Sequence, residues 1–398
     1  MKICMVVQRY GQEVNGGAEA YARQIAEHLA KRSKHEVHCA TTKAIDYVTW
    51  ANEYDQDEEA LNGVTIHRFP TIAERNQEKF NKLSEKVLLE PTTKEMQEEW
   101  MRLQGPESPA LVDWVAANEP NFDVFIFVCY LYYTTYFALP KVAHKAIFIP
   151  TAHEERPIHL DIFADMFEKP ASFYYNTPEE KVLVEKLFAS AATKPNNDGA
   201  GGVGVELPSK ISVSDFKTKY SEYDLSDYIV YVGRIDENKC CNVLFDYFAE
   251  YKRRNPSSTL KLVLIGKEII PVPKRDDIIS LGFVDEHDKF AAIKASRFLV
   301  LPSRFESLSI VVLEAMALGR SVLINGNCDV LKAHCTRSNA GFYYTDYFEF
   351  EALMNLMTSE EFVPKMELLG ANGLKYIEDY YTWDAIIDGY EALMDEIC

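Results

Sequence analysis

The sequence predicts an α/β protein of two domains, each built around a parallel β-sheet. The chain has 398 residues, more than one hydrophobic core usually supports, so two domains are expected. In both halves, short apolar runs typical of buried strands alternate with helical patterns. The most glycine-rich segment, residues 194–208, separates the halves and has the composition of a hinge or linker. Together these observations predict two Rossmann-like domains facing across a cleft.

The N-terminal half opens with the strand, helix and strand of a βαβ unit, predicted over residues 3–7, 18–31 and 36–41. Three further strands are predicted over residues 64–69, 124–128 and 146–149. Segment 74–104 carries mixed charges, and we interpret it as a solvated surface helix rather than an acceptor-docking surface.

The C-terminal half repeats the alternation of strands and helices, which predicts a second parallel sheet. Strands are predicted over residues 228–232, 260–265, 298–301 and 321–324, and helices over 243–253, 290–294 and 310–318. The last segment, 383–397, has the apolar spacing of an amphipathic helix that could pack on either domain.

Composition limits the classes of partner and the compartment. The net charge of −19 argues against general binding of nucleic acid, which requires neutralisation of phosphates. The eight cysteines show no C-x-x-C pair or zinc-ligand spacing, as expected in a reducing compartment. The first residues read as a buried strand rather than a signal peptide, and the uncharged run 124–140 is rich in Tyr and Thr. We therefore expect a cytoplasmic protein.

Two carboxylates, Glu306 and Glu314, lie near the start of a predicted helix. Glu306 is in a polar loop, and Glu314 is inside an apolar helical run. We expect the helix to begin near Ser307 or Leu308, so that its free N–H groups and positive dipole end face Glu306. Such a site can hold a phosphate and a sugar hydroxyl side by side.

Two cations follow the first predicted strand of the second domain. Arg234 and Lys239 flank a turn at that strand's carboxyl end, and together they suit a diphosphate. Such a pair taken alone is often a surface ion-pair partner. The nearby Glu306 segment favours the ligand interpretation, because both features predict an anion at the carboxyl ends of strands.

In the first domain, a glycine pair and a histidine also follow the carboxyl ends of predicted strands. Gly16 and Gly17 lie between the first strand and the first helix, where they permit close backbone approach or simply form a tight turn. His153 follows the strand at 146–149 and could contact a sugar, or be structural. Asp55 and Asp57 imitate a metal-binding D-x-D pattern, but their acidic surroundings predict a solvated loop and no metal site.

These motifs, in this order, resemble the retaining, nucleotide-sugar-dependent glycosyltransferases of family 4, also called glycosyl transferases group 1, which have the GT-B fold. The resemblance covers nearly the whole chain, and its most specific part is the spaced pair Glu306 and Glu314. The residues that carry the resemblance are 15–19, 232–234 with Lys239, 264–266, 281–284, 302–306 and 314–319. It implies an acceptor-side domain over 1–207, on which helix 380–398 packs back, and a domain that binds the nucleotide sugar over 208–379.

The resemblance also implies a role for each residue of the site. Arg234 and Lys239 would bind the donor diphosphate, Glu314 the ribose hydroxyls, and Glu306 the donor sugar, with a role as nucleophile as the minority view. His153 would contact the same sugar. The other donor contacts would come from Gly16, Gly17, Gly282, Phe283, Val284, Ser307, Leu308 and Ser309, with Gly282 to Val284 at the base.

The implied reaction moves a hexose from a UDP- or GDP-sugar to a glycan, glycolipid or other hydroxyl acceptor, with retention, in bacterial surface-polysaccharide synthesis. Positioning and leaving-group stabilisation would carry the rate, so neither a metal nor a cofactor is expected. The partners would be the nucleotide-sugar donor and a carbohydrate or lipid-linked acceptor, with peripheral contact to the inner face of the membrane left open. The base, the donor sugar, the acceptor and the oligomeric state are not encoded in these motifs.

The chain departs from the family pattern at two places, and two other kinds of function compete with sugar transfer. Cys240 stands where the family commonly has Gly after the Lys, and 327–330 replaces a common Gly-x-Pro-Glu turn, which puts donor-sugar contacts near 326–330 in doubt. The competing functions are a GT-B sugar-nucleotide epimerase or sugar phosphorylase, and a non-catalytic protein that binds sugar nucleotides.

Overall fold

The computed structural model describes residues 1–14 and 16–398 and divides them into two compact units. The first unit comprises Met1–Val203 and Trp383–Cys398, and the second comprises Gly204–Thr382. The division between residues 203 and 204 falls inside the predicted glycine-rich linker, where the sequence-based boundary lies between 207 and 208.

Each unit contains one β-sheet within the described part of the chain. The first sheet has seven strands in the order β3-β4-β2-β1-β5-β6-β7, and the second has six in the order β10-β9-β8-β11-β12-β13. The strands are β1 Lys2–Val6, β2 Glu36–Thr42, β3 Glu58–Leu61, β4 Val64–Phe69, β5 Val124–Val128, β6 Ala146–Ile149, β7 Ser172–Phe173, β8 Tyr228–Val232, β9 Lys261–Ile265, β10 Ile278–Ser280, β11 Leu299–Leu301, β12 Val322–Asn325 and β13 Gly341–Tyr344. All neighbouring pairs are parallel except β3 with β4, so the predicted α/β class is confirmed.

Helices connect most of the strands, because parallel strands require crossover connections. They are α1 Gly17–Lys31, α2 Gln77–Leu89, α3 Lys94–Gln104, α4 Pro109–Ala117, α5 Tyr133–Ala138, α6 Asp161–Phe167, α7 Pro178–Leu187, α8 Val213–Lys219, α9 Cys241–Arg254, α10 Glu286–Ala295, α11 Ile310–Ala317, α12 Asp329–Ser338, α13 Tyr347–Thr358, α14 Val363–Tyr380 and α15 Trp383–Ile397. The central strands β1 and β5 are almost completely buried, which explains why their sequences are continuous apolar runs.

The acidic segment predicted to be a solvated loop contains strand β3. Asn62 and Gly63 both have positive φ, 50° and 87°, and join β3 to β4 in an antiparallel hairpin. This Asn-Gly pair was the sequence signal for the hairpin, because only such residues readily adopt the turn. Asp55 and Asp57 lie before the strand and are exposed, as expected.

The charged segment 74–104 forms two helices, α2 and α3, rather than one. The chain leaves α2 at Glu90 and restarts after Pro91, with Thr93 accepting a hydrogen bond from the Met96 N–H group as the cap of α3. The prediction of a solvated surface helix is wrong for one face, because Trp100 is 2% exposed and lies in the hydrophobic core of the first unit. The charges occupy the opposite face.

The C-terminal helix α15 packs on the first unit, the domain on which the family resemblance implies that it packs. The ring of Tyr390 stacks on Tyr174 with centroids 3.7 Å apart, and its hydroxyl lies 2.6 Å from that of Tyr21 on α1. All three rings are buried, so the helix is part of the core of this unit.

Candidate functional site

Three glycines mark the carboxyl ends of neighbouring strands in the second unit. Gly233 and Gly266 follow β8 and β9 with φ of 150° and 145°, and Gly282 follows β10 with φ of 66°. A Cβ atom on Gly266 would lie 1.9 Å from the carbonyl oxygen of Gly233, so this edge requires glycine. Ligands of open α/β sheets bind at this edge.

The turn after β8 is organised by Asp236, which sequence analysis did not single out. Its Oδ1 accepts a hydrogen bond of 2.7 Å from the N–H group of Lys239, and its Oδ2 lies 3.4 Å from Nη2 of Arg234. Asp236 is buried, whereas the side chain of Arg234 is 47% exposed. The sequence signal for this turn was an Asp three residues before Lys239, a spacing at which the Asp side chain can accept a hydrogen bond from the Lys239 N–H group.

The ammonium group of Lys239 forms an ion pair with Glu306. Its Nζ lies 2.7 Å from Oε1 of Glu306, and both side chains are largely buried. The structure thus brings together two residues that are 67 positions apart in the chain and that the sequence predicted to serve one donor.

Helix α11 begins at Ile310, as the predicted helix over 310–318 does, and not near Ser307 or Leu308, where the anion-site interpretation expected it. Its cap, Ser309, has a left-handed backbone with φ of 69°, and the first N–H group that bonds back to it belongs to Val312. The hydroxyl of Ser309 is buried and has no hydrogen-bond partner within the described part of the chain. Residues 307–309 therefore form the loop that leads into the helix, and their predicted contacts with a ligand stay predictions.

This loop is held by His334, a residue that sequence analysis missed. Its Nε2–H group donates a hydrogen bond of 2.8 Å to the carbonyl oxygen of Leu308, and its Nδ1 accepts one from the Tyr376 hydroxyl at 3.2 Å. Burial lowers the pKa of His334 to about 4, so the ring is neutral at physiological pH. No local pattern marks this residue, because its partner lies 26 positions earlier.

Glu314 lies on α11 and pairs with Lys289 of α10. Nζ of Lys289 is 2.6 Å from Oε1 of Glu314, and the carboxylate is almost fully buried. Burial raises the pKa of Glu314, although the neighbouring ammonium group opposes this shift. Lys289 is a second charged residue that sequence analysis missed.

The segment predicted to meet the nucleotide base divides into exposed and buried parts. No atom would crowd a Cβ on Gly282, and the ring of Phe283 is 70% exposed. Val284 is buried at 8% exposure. Only the first two therefore present accessible surface for a planar ligand.

The remaining predicted residues belong to the first unit. A Cβ on Gly16 would lie 2.1 Å from Oε2 of Glu19, while nothing would crowd one on Gly17. Glu19 forms a buried ion pair with Arg9 at 2.5 Å. Asn15, the first residue of this motif, lies outside the described residues.

His153 contacts other residues of its own loop. Its Nε2 lies 3.3 Å from Oε1 of Glu155, and the preceding N–H group of Ala152 donates a hydrogen bond of 2.6 Å to Glu180. Burial raises the pKa of Glu180 to about 8. The predicted contact of His153 with a donor sugar stays a prediction.

The two departures from the family pattern have definite structures. Cys240 caps α9 with φ of 56°, a left-handed conformation that favours the glycine it replaces. In the turn after β12, Nδ2 of Asn325 donates to the carbonyl oxygen of Pro302 at 2.8 Å, and Oδ1 accepts from the N–H group of Asn327 at 2.9 Å. The turn is therefore tied to the loop that carries Glu306.

The described residues contain neither a metal-binding cluster nor a membrane-spanning helix. Among residues 1–14 and 16–398, no cluster of three or more His, Cys, Asp or Glu side chains could hold a metal ion. None of the helices described is both long and apolar enough to cross a membrane.

Comparison with known proteins identifies the second unit. Residues 226–350, which include Arg234, Lys239, Glu306 and Glu314, match the family model of glycosyl transferases group 1. The second unit is a group 1 glycosyltransferase domain. An uncharacterized glycosyltransferase of Methanocaldococcus jannaschii is 25% identical over 349 residues, which are 82% of this chain and 80% of that protein. The protein is accordingly a glycosyltransferase, as the sequence resemblance implied.

Solved structures confirm the GT-B fold over the whole length of this glycosyltransferase. The sucrose-phosphate synthase of Thermosynechococcus elongatus superposes with a TM-score of 0.72 at 16% identity, covering 100% of this chain and 98% of that one. The HepE protein of Anabaena, solved with UDP and glucose, superposes with a TM-score of 0.69 at 14% identity and covers 100% of both chains. At these identities the likeness concerns the fold.

Proposed function

We propose that this glycosyltransferase moves a hexose from a UDP-sugar to a hydroxyl group of a carbohydrate or lipid-linked acceptor, with retention of configuration and without a metal ion. The observation that carries the proposal is the ion pair of Lys239 and Glu306 at the carboxyl edge of the second sheet. It holds a cation suited to a leaving diphosphate beside a carboxylate suited to sugar hydroxyls. UDP is favoured over GDP because two structural relatives were solved with UDP-linked glucose or 2-fluoroglucose.

Departure of the nucleotide is the step that these residues assist. The bond between the anomeric carbon and the diphosphate oxygen breaks, and the electron pair stays with the diphosphate. Arg234 and Lys239 stabilise this charge, and the acceptor oxygen attacks the oxocarbenium-like centre on the face that the leaving group occupied. The acceptor proton passes to the departing phosphate oxygen, so no side-chain base is required.

Glu314 and Phe283 would bind the nucleoside part of the donor. Glu314 is placed on the first turns of α11, and its carboxylate would accept hydrogen bonds from the ribose hydroxyls. Phe283 offers an exposed ring on which a base could stack. The ribose contact of Glu314 and the base contact of Phe283 can be separated experimentally from the role of Lys239, because neither residue would bind the phosphates.

The test is release of nucleotide in the presence and absence of acceptors. The full chain is incubated with UDP-glucose, or with GDP-mannose as the alternative donor, and with a panel of methyl glycosides, sugar phosphates and lipid-linked sugars. We expect UDP release to depend on one acceptor class and to equal the glycoside formed, with the donor's α configuration kept. Formation of an epimeric UDP-sugar without acceptor would establish an epimerase instead. Binding of UDP-glucose without transfer to any acceptor class or hydrolysis would indicate a non-catalytic protein.

A further inference from the structure

Arg75 in the first unit is a partly buried cation. It lies between strand β4 and helix α2, and burial lowers the pKa of its guanidinium group. Nη2 donates a hydrogen bond to the side-chain oxygen of Gln104, while Nε is buried with no hydrogen-bond partner among the described residues. No salt bridge to Arg75 is found in the described part of the chain.

Arg9 and Arg68 of the same unit are more deeply buried than Arg75, and both have carboxylate partners. Arg9 pairs with Glu19 at 2.5 Å, and Arg68 pairs with Glu59. A desolvated charge without a counterion is costly, so its retention calls for a compensating ligand. Arg75 is the exception in this comparison.

Aromatic rings surround the Arg75 guanidinium group in place of carboxylates. Its Cζ lies 4.0 Å from the ring centroid of Phe80, and 5.8 Å from those of both Tyr47 and Trp50. The electrostatic partners of the group are the phenols of Tyr47 and Tyr132. Stacked rings orient the guanidinium plane but do not neutralise its charge.

These groups lie where ligands of α/β sheets bind. Tyr47 and Trp50 follow strand β2, Arg75 follows β4, and Tyr132 follows β5, so all are on loops after carboxyl ends of strands. Cζ of Arg9, which follows β1, lies 5.5 Å and 5.6 Å from the same Tyr47 and Trp50 rings. A second positive charge therefore faces the same aromatic pair, and the partly exposed Tyr47 and Arg75 open the cluster to solvent.

We infer that Arg75 binds an anionic group, a phosphate or a carboxylate, on the acceptor sugar. The guanidinium fork fits either group through two parallel hydrogen bonds, and the neighbouring tyrosine ring offers a face for the sugar. Arg9 already forms an ion pair with Glu19, so it would add positive potential without binding the anion directly. The inference rests on the proposed function, since it names the acceptor class of the same transfer reaction.

Stability without ligand gives the first test. Arg75→Met removes a partly buried charge that has no carboxylate partner in the described part of the chain but keeps apolar bulk against the rings, so the full chain should melt at the same or a higher temperature than wild type. A structural arginine would give the opposite result, and a drop of several degrees would overturn the inference. Arg102→Met is the matched control, because Arg102 also lies over rings in this unit but pairs with Glu107 at 2.7 Å.

Binding gives the second test, with inorganic phosphate, glucose 6-phosphate, glucuronate and neutral glucose as probes at matched ionic strength. We expect calorimetry on wild type and Arg102→Met to show at least tenfold tighter binding of an anionic sugar than of glucose, and this preference to vanish in Arg75→Met. Whichever of glucose 6-phosphate and glucuronate binds more tightly shows whether the anionic group is a phosphate or a carboxylate. Equal affinity for charged and neutral sugars, or an unchanged preference in Arg75→Met, would overturn the inference. UDP-glucose binding by wild type is measured separately, so failure of the proposed function is distinguishable.

Discussion

Nζ of Lys239 lies 2.7 Å from Oε1 of Glu306, so the cation assigned to the donor diphosphate already has an anionic partner. A diphosphate must therefore compete with Glu306 for this ammonium group. The competition separates two roles that the sequence alone assigns to one ligand: Lys239 serves the leaving group, and Glu306 is available to the sugar when the pair opens.

Glu306→Gln should bind UDP more tightly and transfer sugar more slowly. Loss of the competing charge frees Lys239, and we expect a gain of about 0.5 to 1 kcal/mol in UDP binding, together with at least a tenfold loss of transfer rate. Calorimetry with UDP and an assay of product formation measure the two effects. Glu237→Gln is the control, because Glu237 is an exposed carboxylate in the same turn as Lys239. Weaker UDP binding in Glu306→Gln would show that Glu306 holds the nucleotide itself.

Glu314→Gln should discriminate between ligands with and without a ribose. We expect UDP affinity to fall by about 1 to 2 kcal/mol, while the affinity for inorganic pyrophosphate is unchanged, because a neutral amide is a poorer acceptor for the ribose hydroxyls. Competition binding with both ligands measures the difference. An equal loss for both ligands would mean that the substitution disturbs the site as a whole rather than a contact with the ribose.

Cys240→Gly should stabilise the protein. The residue has φ of 56°, and relief of left-handed strain outweighs the greater freedom of glycine in the unfolded chain, for a net gain of about 0.5 to 1 kcal/mol. Chemical denaturation measures the free energy of unfolding of the second unit. Cys241→Gly is the matched control and should destabilise, because Cys241 is fully buried at the first position of α9. A loss of stability in Cys240→Gly would refute the strain argument.

His334 should make the second unit sensitive to acid. Its pKa in the folded protein is about 4, below the ordinary value of 6.5, with burial as the main cause and the nearby Arg337 adding to it. The unfolded chain therefore binds more protons between pH 6.5 and 4, and stability falls as the pH falls through that window, by up to about 3 kcal/mol from this group.

His334→Gln tests this assignment, because glutamine can still donate to the Leu308 carbonyl but cannot take up a proton in this range. Denaturation at several pH values should give a shallower decline between pH 6.5 and 4 for the variant than for wild type. Identical slopes for the two proteins would contradict the assignment.

Much of the fold could be predicted because it depends on local patterns. Buried parallel strands such as Val124–Val128 and Tyr228–Val232 are apolar runs of the right length, and their bounds agree with the structure. The short strand Ser172–Phe173 has too few residues to show any period. The charged segment 74–104 was misjudged because its buried Trp100 face is set by tertiary packing rather than by average composition.

The site was predictable in its residue types and less so in its contacts. Lys239, Glu306 and Glu314 stand in one unit in the order that the motifs gave, but the partners that orient them come from distant segments. Lys289 meets Glu314 from another helix, and His334 reaches Leu308 from a third. The apolar run over 310–318 predicted the start of α11 at Ile310, but the sequence does not reveal the left-handed backbone of its cap, Ser309, a conformation that non-glycine residues rarely adopt.

Calorimetric titration of UDP-glucose into wild type and Lys239→Met tests the central claim most directly, with Lys375→Met as control, since Lys375 forms an exposed ion pair on α14 of the same unit. Loss of the Lys239 ammonium group, which is assigned to the diphosphate, should weaken UDP-glucose binding by at least tenfold, or about 1.4 kcal/mol. The control should bind UDP-glucose as wild type does. Equal affinity in wild type and Lys239→Met, or no binding of any nucleotide sugar by wild type, would contradict the account.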